Sequence, residues 1–284
     1  MSSASEFSCL ARAIALYESH FGLSRRPFGE TVDPSAYVAL TGREAVLRRL
    51  RYGLEHAQGP VLLHGPSGSG KTLLTRILAR AMGTPSAHLT FPAMPAADLL
   101  AYVADELGAG PVPVGDHAMS SALRLLRKRL GESAVRGERP LLVIDEAHLI
   151  DDPATFEVLR SLLNFATLGP PDLALVLVGA TEVLLRLPHG LADRLTAQCL
   201  LGALTATESA SYLNGRLAAA GADTPLFDAA AAAALHRAAE GLPRRLNRLA
   251  DLALLVAYAE GLPAPDTRAV AIATREYDPD GLAA

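Results

Sequence analysis

A phosphate-binding pattern is formed by the run Gly65-Pro66-Ser67-Gly68-Ser69-Gly70-Lys71-Thr72. Its spacing, G-x-x-x-x-G-K-[ST], is that of a Walker A loop. The glycines permit backbone conformations that a Cβ forbids, so successive N–H groups can point at phosphate oxygens. We expect Lys71, one of only two lysines in the chain, to contact the β- and γ-phosphates, and the Thr72 hydroxyl to bind Mg²⁺. The pattern therefore predicts an ATP site.

Two consecutive acids end a second apolar run, Leu141-Leu142-Val143-Ile144-Asp145-Glu146. An acid at the carboxyl end of a parallel strand lies in the crevice where ligands bind in open α/β sheets. Asp145 there can hold Mg²⁺, directly or through water, and Glu146 can polarise an attacking water. A small-molecule kinase activates a substrate hydroxyl and does not need the second acid. Together the two motifs predict Mg²⁺-dependent ATP hydrolysis.

The residues Asp145-Glu146-Ala147-His148 also spell the DEAH signature of a helicase superfamily. Such helicases need two tandem RecA-like cores, whereas only a helical pattern follows Leu201. We therefore reject the helicase interpretation and interpret His148 as a polar residue at a helix start.

Three other residues are candidates for catalysis. Thr181 follows an apolar run and either senses the γ-phosphate and orients water or caps the helical pattern over 182–185. Arg194 precedes the last apolar run, where it either reaches a neighbouring subunit's nucleotide or makes a local salt bridge. Arg244 lies at the start of a helix and can fold back onto the γ-phosphate, so that it both binds nucleotide and couples helix position to nucleotide state.

Short apolar runs alternate with helical patterns in the first two thirds of the chain. Most of these runs are consecutively apolar, as in strands buried on both faces. Strands that alternate with helices predict an α/β fold, a P-loop NTPase with a five-stranded parallel sheet between helices. We expect helices from Gly42 to about Gln58 and over Leu73–Arg80. The predicted strands are Val61–His64, Ala87–Phe91, Leu141–Ile144, Leu173–Val178 and Ala197–Leu201.

Beyond Gly202 the pattern is helical. Thr205 and Glu208 have the spacing of a capping box, which predicts a helix start. The sequence thus predicts a small all-helical lid domain over 204–284, an α/β core over 41–203 and an N-terminal segment over 1–40. The later predicted helices are Asp228–Gly241, Arg244–Glu260 and, as a shorter one, Pro265–Tyr277.

Composition limits the class of protein. Half of the 284 residues are apolar, but the sequence never sustains the roughly 18 consecutive apolar residues of a membrane span. No signal peptide is visible, and the isolated thiols Cys9 and Cys199 are typical of a reducing compartment, so we expect a cytoplasmic protein. The net charge of −4 gives no global positive field for nucleic acid. The basic residues Arg124, Arg127 and Lys128 are interpreted as a solvated helix face.

The chain resembles AAA+ ATPases, in particular secretion ATPases of the ExeA/GspA type, and is similar to transposon-encoded target-selector ATPases of the TniB/TnsC type. Besides the Walker A loop, the resemblance rests on an opening segment, a Walker B strand, a sensor-1 strand, a sensor-2 helix start and a lid helix. These are Tyr17–Leu23 with Pro27-Phe28 and Asp33-Pro34, Leu142–His148, Val176–Gly179, Gly241–Arg244 with Asn247, and Asp251–Gly261.

The resemblance implies a homo-oligomer, ring or helical, that forms in ATP. It also implies that the opening segment lies near the adenine, that Arg244 is the sensor-2 arginine and that Arg194 is the trans finger. Two functions stay open. One is a motor that remodels or assembles a protein complex, related to secretion. The other is an ATP-gated DNA-binding scaffold that recruits a transposase-like partner, which a basic surface with Arg124, Arg127 and Lys128 would favour.

Overall fold

A computed structural model describes residues 16–29, 33–56 and 59–277 of the chain. Cys9 and the predicted helix end at Gln58 lie outside these residues. The chain divides into two compact units. The first, the α/β unit, consists of the described residues of Thr41–Gly202, and the second, the helical unit, combines the described residues up to Leu40 with those from Ala203 to Tyr277.

The α/β unit is built on a five-stranded parallel sheet. The strands are β1 (Val61–His64), β2 (Ser86–Leu89), β3 (Leu141–Ile144), β4 (Ala174–Gly179) and β5 (Ala197–Leu200). They lie in the order β2-β3-β4-β1-β5. Every residue of β1, β3 and β4 is buried, which explains their largely apolar sequences. The predicted five-stranded sheet is confirmed.

The described α-helices are α1 (Leu16–His20), α2 (Thr41–His56), α3 (Lys71–Met82), α4 (Ala96–Glu106), α5 (Ala118–Val135), α6 (Pro153–Leu162), α7 (Val183–Arg186), α8 (His189–Ala192), α9 (Ala206–Ala219), α10 (Ala229–Ala239), α11 (Pro243–Ala259) and α12 (Thr267–Tyr277). Helices cover both faces of the sheet. On one face, Leu142 and Leu175 belong to a core cluster with leucines of α4, α5 and α6. On the other face, α2 contacts β1 and β5, and α3 contacts β4.

No described helix has both the length and the apolar character that a membrane-spanning helix requires.

The helical unit contains α1 and α9 to α12, and its described residues form no strand. The capping box is present at the start of α9, because the Thr205 hydroxyl accepts the Glu208 N–H at 3.2 Å and the Glu208 carboxylate accepts the Thr205 N–H at 3.1 Å. Aromatic residues of the opening segment, including Phe21 and Phe28, belong to the same core cluster as Leu213 of α9. The opening segment therefore packs inside the helical unit.

A buried carboxylate on α11 ties the opening segment to the lid helix. Asp251 accepts a hydrogen bond from the Tyr17 hydroxyl at 2.7 Å and from Arg26 Nε, also at 2.7 Å. Burial and the hydrogen bond to Asp251 raise the pKa of Tyr17, which keeps its hydroxyl a neutral donor. The opening segment and the lid helix, both of which support the resemblance, are thus joined by hydrogen bonds.

Candidate active site

The phosphate loop connects β1 to α3 and depends on its glycines. Gly65, Gly68 and Gly70 all have positive φ, of 153°, 76° and 95°. A Cβ on Gly65 would lie 2.3 Å from the carbonyl oxygen of Leu201, a backbone atom that cannot move aside cheaply. The helix that follows begins at Lys71, so its N-terminal N–H groups and positive dipole end face the loop. Gly65 to Gly70 therefore form the loop itself, and Lys71 and Thr72 are the first two residues of α3.

We predict that Gly65→Ala lowers the free energy of unfolding by about 2–4 kcal/mol, since a new Cβ both overlaps backbone and strains the φ angle. Gly202→Ala is the matched control, because a Cβ there meets nothing within 4 Å and its φ is not in the positive region. Urea denaturation followed by circular dichroism compares the two. Equal midpoints for both variants would contradict the close approach at Gly65.

Two cationic side chains donate hydrogen bonds to carbonyl groups of the loop. Lys71 is 7% exposed, and its Nζ donates to the carbonyl oxygens of Gly65 at 2.9 Å and Pro66 at 3.1 Å. From α2, Arg43 Nη1 donates to the Ser69 carbonyl at 2.6 Å. Among the described residues nothing hydrogen-bonds the buried Ser69 hydroxyl. Positive charge and an unsatisfied hydroxyl inside the loop are features that fit an anionic phosphate.

The two sequence motifs meet at the start of α3. Thr72 Oγ1 donates to Asp145 Oδ2 at 2.6 Å, across 73 residues of sequence. Asp145 Oδ1 accepts the Glu146 N–H at 2.9 Å, and His88 Nε2 lies 3.6 Å from Oδ2. Burial opposes ionisation of Asp145, but the contacts with His88, Thr72 and the Glu146 N–H outweigh it and lower its pKa. This ionised carboxylate beside a hydroxyl fits Mg²⁺, which proteins hold through one or two carboxylates and substrate phosphates.

Glu146 has a strained backbone. Its φ of 50° places it in the left-handed region, which among the described non-glycine residues only Glu240 shares. Its side chain is 43% exposed, and Oε2 lies 3.3 Å from His148 Nδ1. Such strain persists where the surrounding structure imposes it and is typical of active sites. The half-exposed Glu146 carboxylate thus follows the buried carboxylate of Asp145 directly in the chain.

Thr181 lies at the same edge of the sheet as the phosphate loop, because it follows β4 and Gly179 pairs with His64 at the end of β1. The side chain is exposed, and its carbonyl oxygen accepts the Leu184 N–H at 3.1 Å. Its role toward a γ-phosphate stays a prediction.

Arg194 lies at the opposite, amino-terminal edge of the sheet. Two residues later, the Thr196 N–H donates to the carbonyl of Pro60, which precedes β1. The exposed Arg194 donates from Nη1 to Asn164 Oδ1 at 2.9 Å and lines a cavity of about 390 Å³. A four-residue strand spans about 13 Å, so this guanidinium is separated from the phosphate loop of its own chain by the depth of the sheet. Its partner is an amide, whereas the alternative interpretation expected a salt bridge.

Arg244 belongs to the helical unit, where it is exposed in the first turn of α11. Its role in sensing nucleotide stays a prediction. Nearby, Asn247 has a structural contact, because its side chain accepts the Tyr212 hydroxyl at 2.9 Å.

Sequence reasoning missed two residues that contact the site, Arg43 and His88. Each is far along the chain from its partner, and neither lies in a recognisable spacing. His88 carried one signal that could have identified it, since it is a polar residue inside β2, which pairs with β3, the strand directly before Asp145.

Residues 54–187 match the family model described as an AAA domain. Over these residues the protein is similar to AAA domains. The match extends from the end of α2 to the end of α7, so it includes the phosphate loop, Asp145 and Glu146. The P-loop fold and the resemblance to AAA+ ATPases expected from the sequence are confirmed.

The chain is also 35% identical over 255 residues to general secretion pathway protein A of Aeromonas hydrophila. The alignment covers 87% of this chain and 46% of that protein, so the chain spans about half of its relative's length. Cdc6p of Pyrobaculum aerophilum superposes with a TM-score of 0.69 at 20% identity, over 91% of this chain and 70% of its own. The Drosophila ORC structure bound to DNA gives a TM-score of 0.66 at 18% identity, over 89% and 65%. At these identities the two structures show the fold.

Proposed function

We propose that this protein binds ATP with Mg²⁺ and hydrolyses it to ADP and phosphate. The observation that carries the proposal is the 2.6 Å contact between Thr72 and Asp145. It places a hydroxyl and an ionised carboxylate beside the phosphate loop, as a Mg²⁺–nucleotide complex requires. Hydrolysis of bound ATP also needs a group that activates water. Glu146, the residue after Asp145, provides that group.

Each residue has a defined task. The loop N–H groups and the α3 N-terminus bind phosphate oxygens, and Lys71 exchanges its loop carbonyls for the β- and γ-phosphates. Thr72 and Asp145 would hold Mg²⁺, which supplies charge neutralisation on the phosphate oxygens. The exposed Glu146 carboxylate orients a water and accepts its proton as the water attacks the γ-phosphorus. Arg43 keeps the loop shaped through the Ser69 carbonyl.

Lys71→Ala is expected to weaken ATP binding about 10- to 100-fold, because it removes charge-assisted hydrogen bonds worth about 1.5–3 kcal/mol. The other lysine provides a matched control. Lys128 is 78% exposed and lies 3.9 Å from Glu132, so Lys128→Ala should bind ATP as the wild type does. Titration with a fluorescent ATP analogue measures both variants. Wild-type affinity in Lys71→Ala would contradict the phosphate-loop assignment.

The wider role is proposed in the same terms. The protein forms a homo-oligomer in ATP and uses the nucleotide state to remodel or assemble a partner complex in the cytoplasm, in a secretion-related process. The similarity to general secretion pathway protein A supports this role, as does the position of Arg194 at the edge of the sheet opposite the phosphate loop. Sedimentation with and without a non-hydrolysable ATP analogue tests the assembly, since an unchanged monomer in both conditions would contradict it.

A second candidate function is an ATP-gated DNA-binding scaffold that recruits a transposase-like partner. One observation favours it: Arg124 and Arg127 are exposed on α5, and no carboxylate among the described residues forms an ion pair with either. DNA binding that requires ATP and weakens as salt rises would support this function over the first. A DNA affinity that is independent of Arg124 and Arg127 would exclude this face of α5 as the DNA-binding surface.

A further inference from the structure

One histidine nitrogen in the AAA domain faces two different partners. His148 lies in the 3₁₀ turn Ala147–Leu149 that follows β3. Its Nδ1 is 3.3 Å from the Glu146 carboxylate oxygen Oε2 and 3.3 Å from the backbone nitrogen of Ala180. The first partner is the carboxylate proposed to activate water, and the second is the backbone N–H of the residue that follows β4.

These two partners require opposite states of Nδ1. The Ala180 N–H is a donor, so it needs the Nδ1 lone pair, whereas an ionised Glu146 carboxylate only accepts and needs an Nδ1–H. A neutral imidazole satisfies one of them at a time, through one tautomer or the other. In the Nε2–H tautomer His148 binds Ala180 and leaves Glu146 without this contact. In the Nδ1–H tautomer it binds and orients Glu146.

The Ala180 N–H belongs to a peptide group that is hydrogen-bonded to the phosphate loop. The carbonyl of Gly179, in the peptide unit that contains the Ala180 N–H, accepts the N–H of Gly65 at 3.3 Å. A Cβ on Gly179 would lie 3.3 Å from His148 Nδ1 and 3.2 Å from Val183 Cβ, so the glycine leaves room for the imidazole. A shift of the first loop residue therefore moves the peptide group that competes with Glu146 for the imidazole.

We propose that His148 is a positioning residue for Glu146, and that its imidazole exchanges the Ala180 N–H for the Glu146 carboxylate when nucleotide occupies the loop. The inference rests on the proposed ATPase activity, which it refines. His148 does not touch the reacting atoms. It fixes the direction of the Glu146 carboxylate, and it does so in response to the loop that binds the phosphates.

Kinetics provide the first test, with His148→Phe and His148→Asn. Phenylalanine fills the space but makes neither contact, so we expect kcat to fall about tenfold or more through misplacement of Glu146, while KM for ATP stays within about twofold. Asparagine can donate to the carboxylate or accept from the backbone, so it should restore most of kcat. A Phe variant with wild-type kcat, or an Asn variant as impaired as the Phe variant, would overturn the proposal.

A second readout does not depend on turnover. The Nδ1 and Nε2 signals of ¹⁵N-histidine-labelled protein report the tautomer, and the His148 signals are the ones absent from His148→Phe. Addition of a non-hydrolysable ATP analogue with Mg²⁺ should shift the population from the Nε2–H to the Nδ1–H tautomer. Shifted tautomers without any wild-type ATP turnover would remove only the proposed hydrolysis. Normal turnover with an unchanged tautomer would remove only the role of His148.

Discussion

Arg194→Ala is expected to lower the rate of ATP hydrolysis by about 10³-fold while the ATP dissociation constant changes only a few-fold, as for an arginine finger supplied by a neighbouring subunit. The physical reason is its location. Arg194 is exposed at the amino-terminal edge of the sheet, where its side chain donates a hydrogen bond to the Asn164 amide oxygen. Its positive charge can therefore act on the nucleotide of a neighbouring subunit, and it contributes little to the nucleotide site of its own subunit. Steady-state turnover and equilibrium binding of an ATP analogue measure the two quantities separately.

The control for this variant is Arg186→Ala. Arg186 is also an exposed arginine of the α/β unit, but it forms an ion pair with Asp151, so its loss should leave turnover nearly unchanged. Mixing Arg194→Ala with Lys71→Ala protein then tests the action in trans, because one variant binds ATP and the other donates the arginine. Specific activity that is constant on dilution, together with an inactive mixture, would contradict both the finger and the oligomer.

Glu146→Gln should separate binding from hydrolysis. The amide keeps the shape of the side chain but cannot accept the proton of an attacking water, so turnover should fall about 10²-fold or more while ATP still binds. A phosphate-release assay and a fluorescent ATP analogue measure the two steps. Glu157→Gln is a suitable control, because Glu157 is a carboxylate of α6 whose partner is Arg160 on the surface.

Two outcomes would contradict the role of Glu146. Loss of ATP binding in Glu146→Gln would mean that its carboxylate maintains the structure of the loop after β3. Unchanged turnover would mean that another group activates the water.

The sequence predicted the sheet well where burial alone determines it. The bounds of β1 and β3 agree with the predicted runs, because their residues are buried on both faces and apolar throughout. At the edge of the sheet the prediction was less accurate. The apolar run continues to Phe91, but β2 ends at Leu89, since it pairs only with β3 and Phe91 is exposed.

Contacts between distant residues could not be predicted in the same way. The sequence assigns both Thr72 and Asp145 to Mg²⁺, because each belongs to a motif with its own spacing. The contacts of His88 with Asp145 and of Arg43 with Ser69 have no such spacing, because they depend on strand order and on the direction of α2. The link between Tyr17 and Asp251 joins residues 234 positions apart, and nothing in either segment alone indicates it.

The positions of Arg194 and of the phosphate loop at opposite edges of one sheet have a consequence for symmetry. If each copy offers its arginine from one edge and receives one at the other, the two surfaces in a contact are different. Contacts of this kind are heterologous, and they propagate from copy to copy. The assembly then closes into a ring or continues as a helix, depending on the rotation between neighbours. In an open assembly, the copy at one end has a nucleotide site that receives no Arg194 from a neighbour.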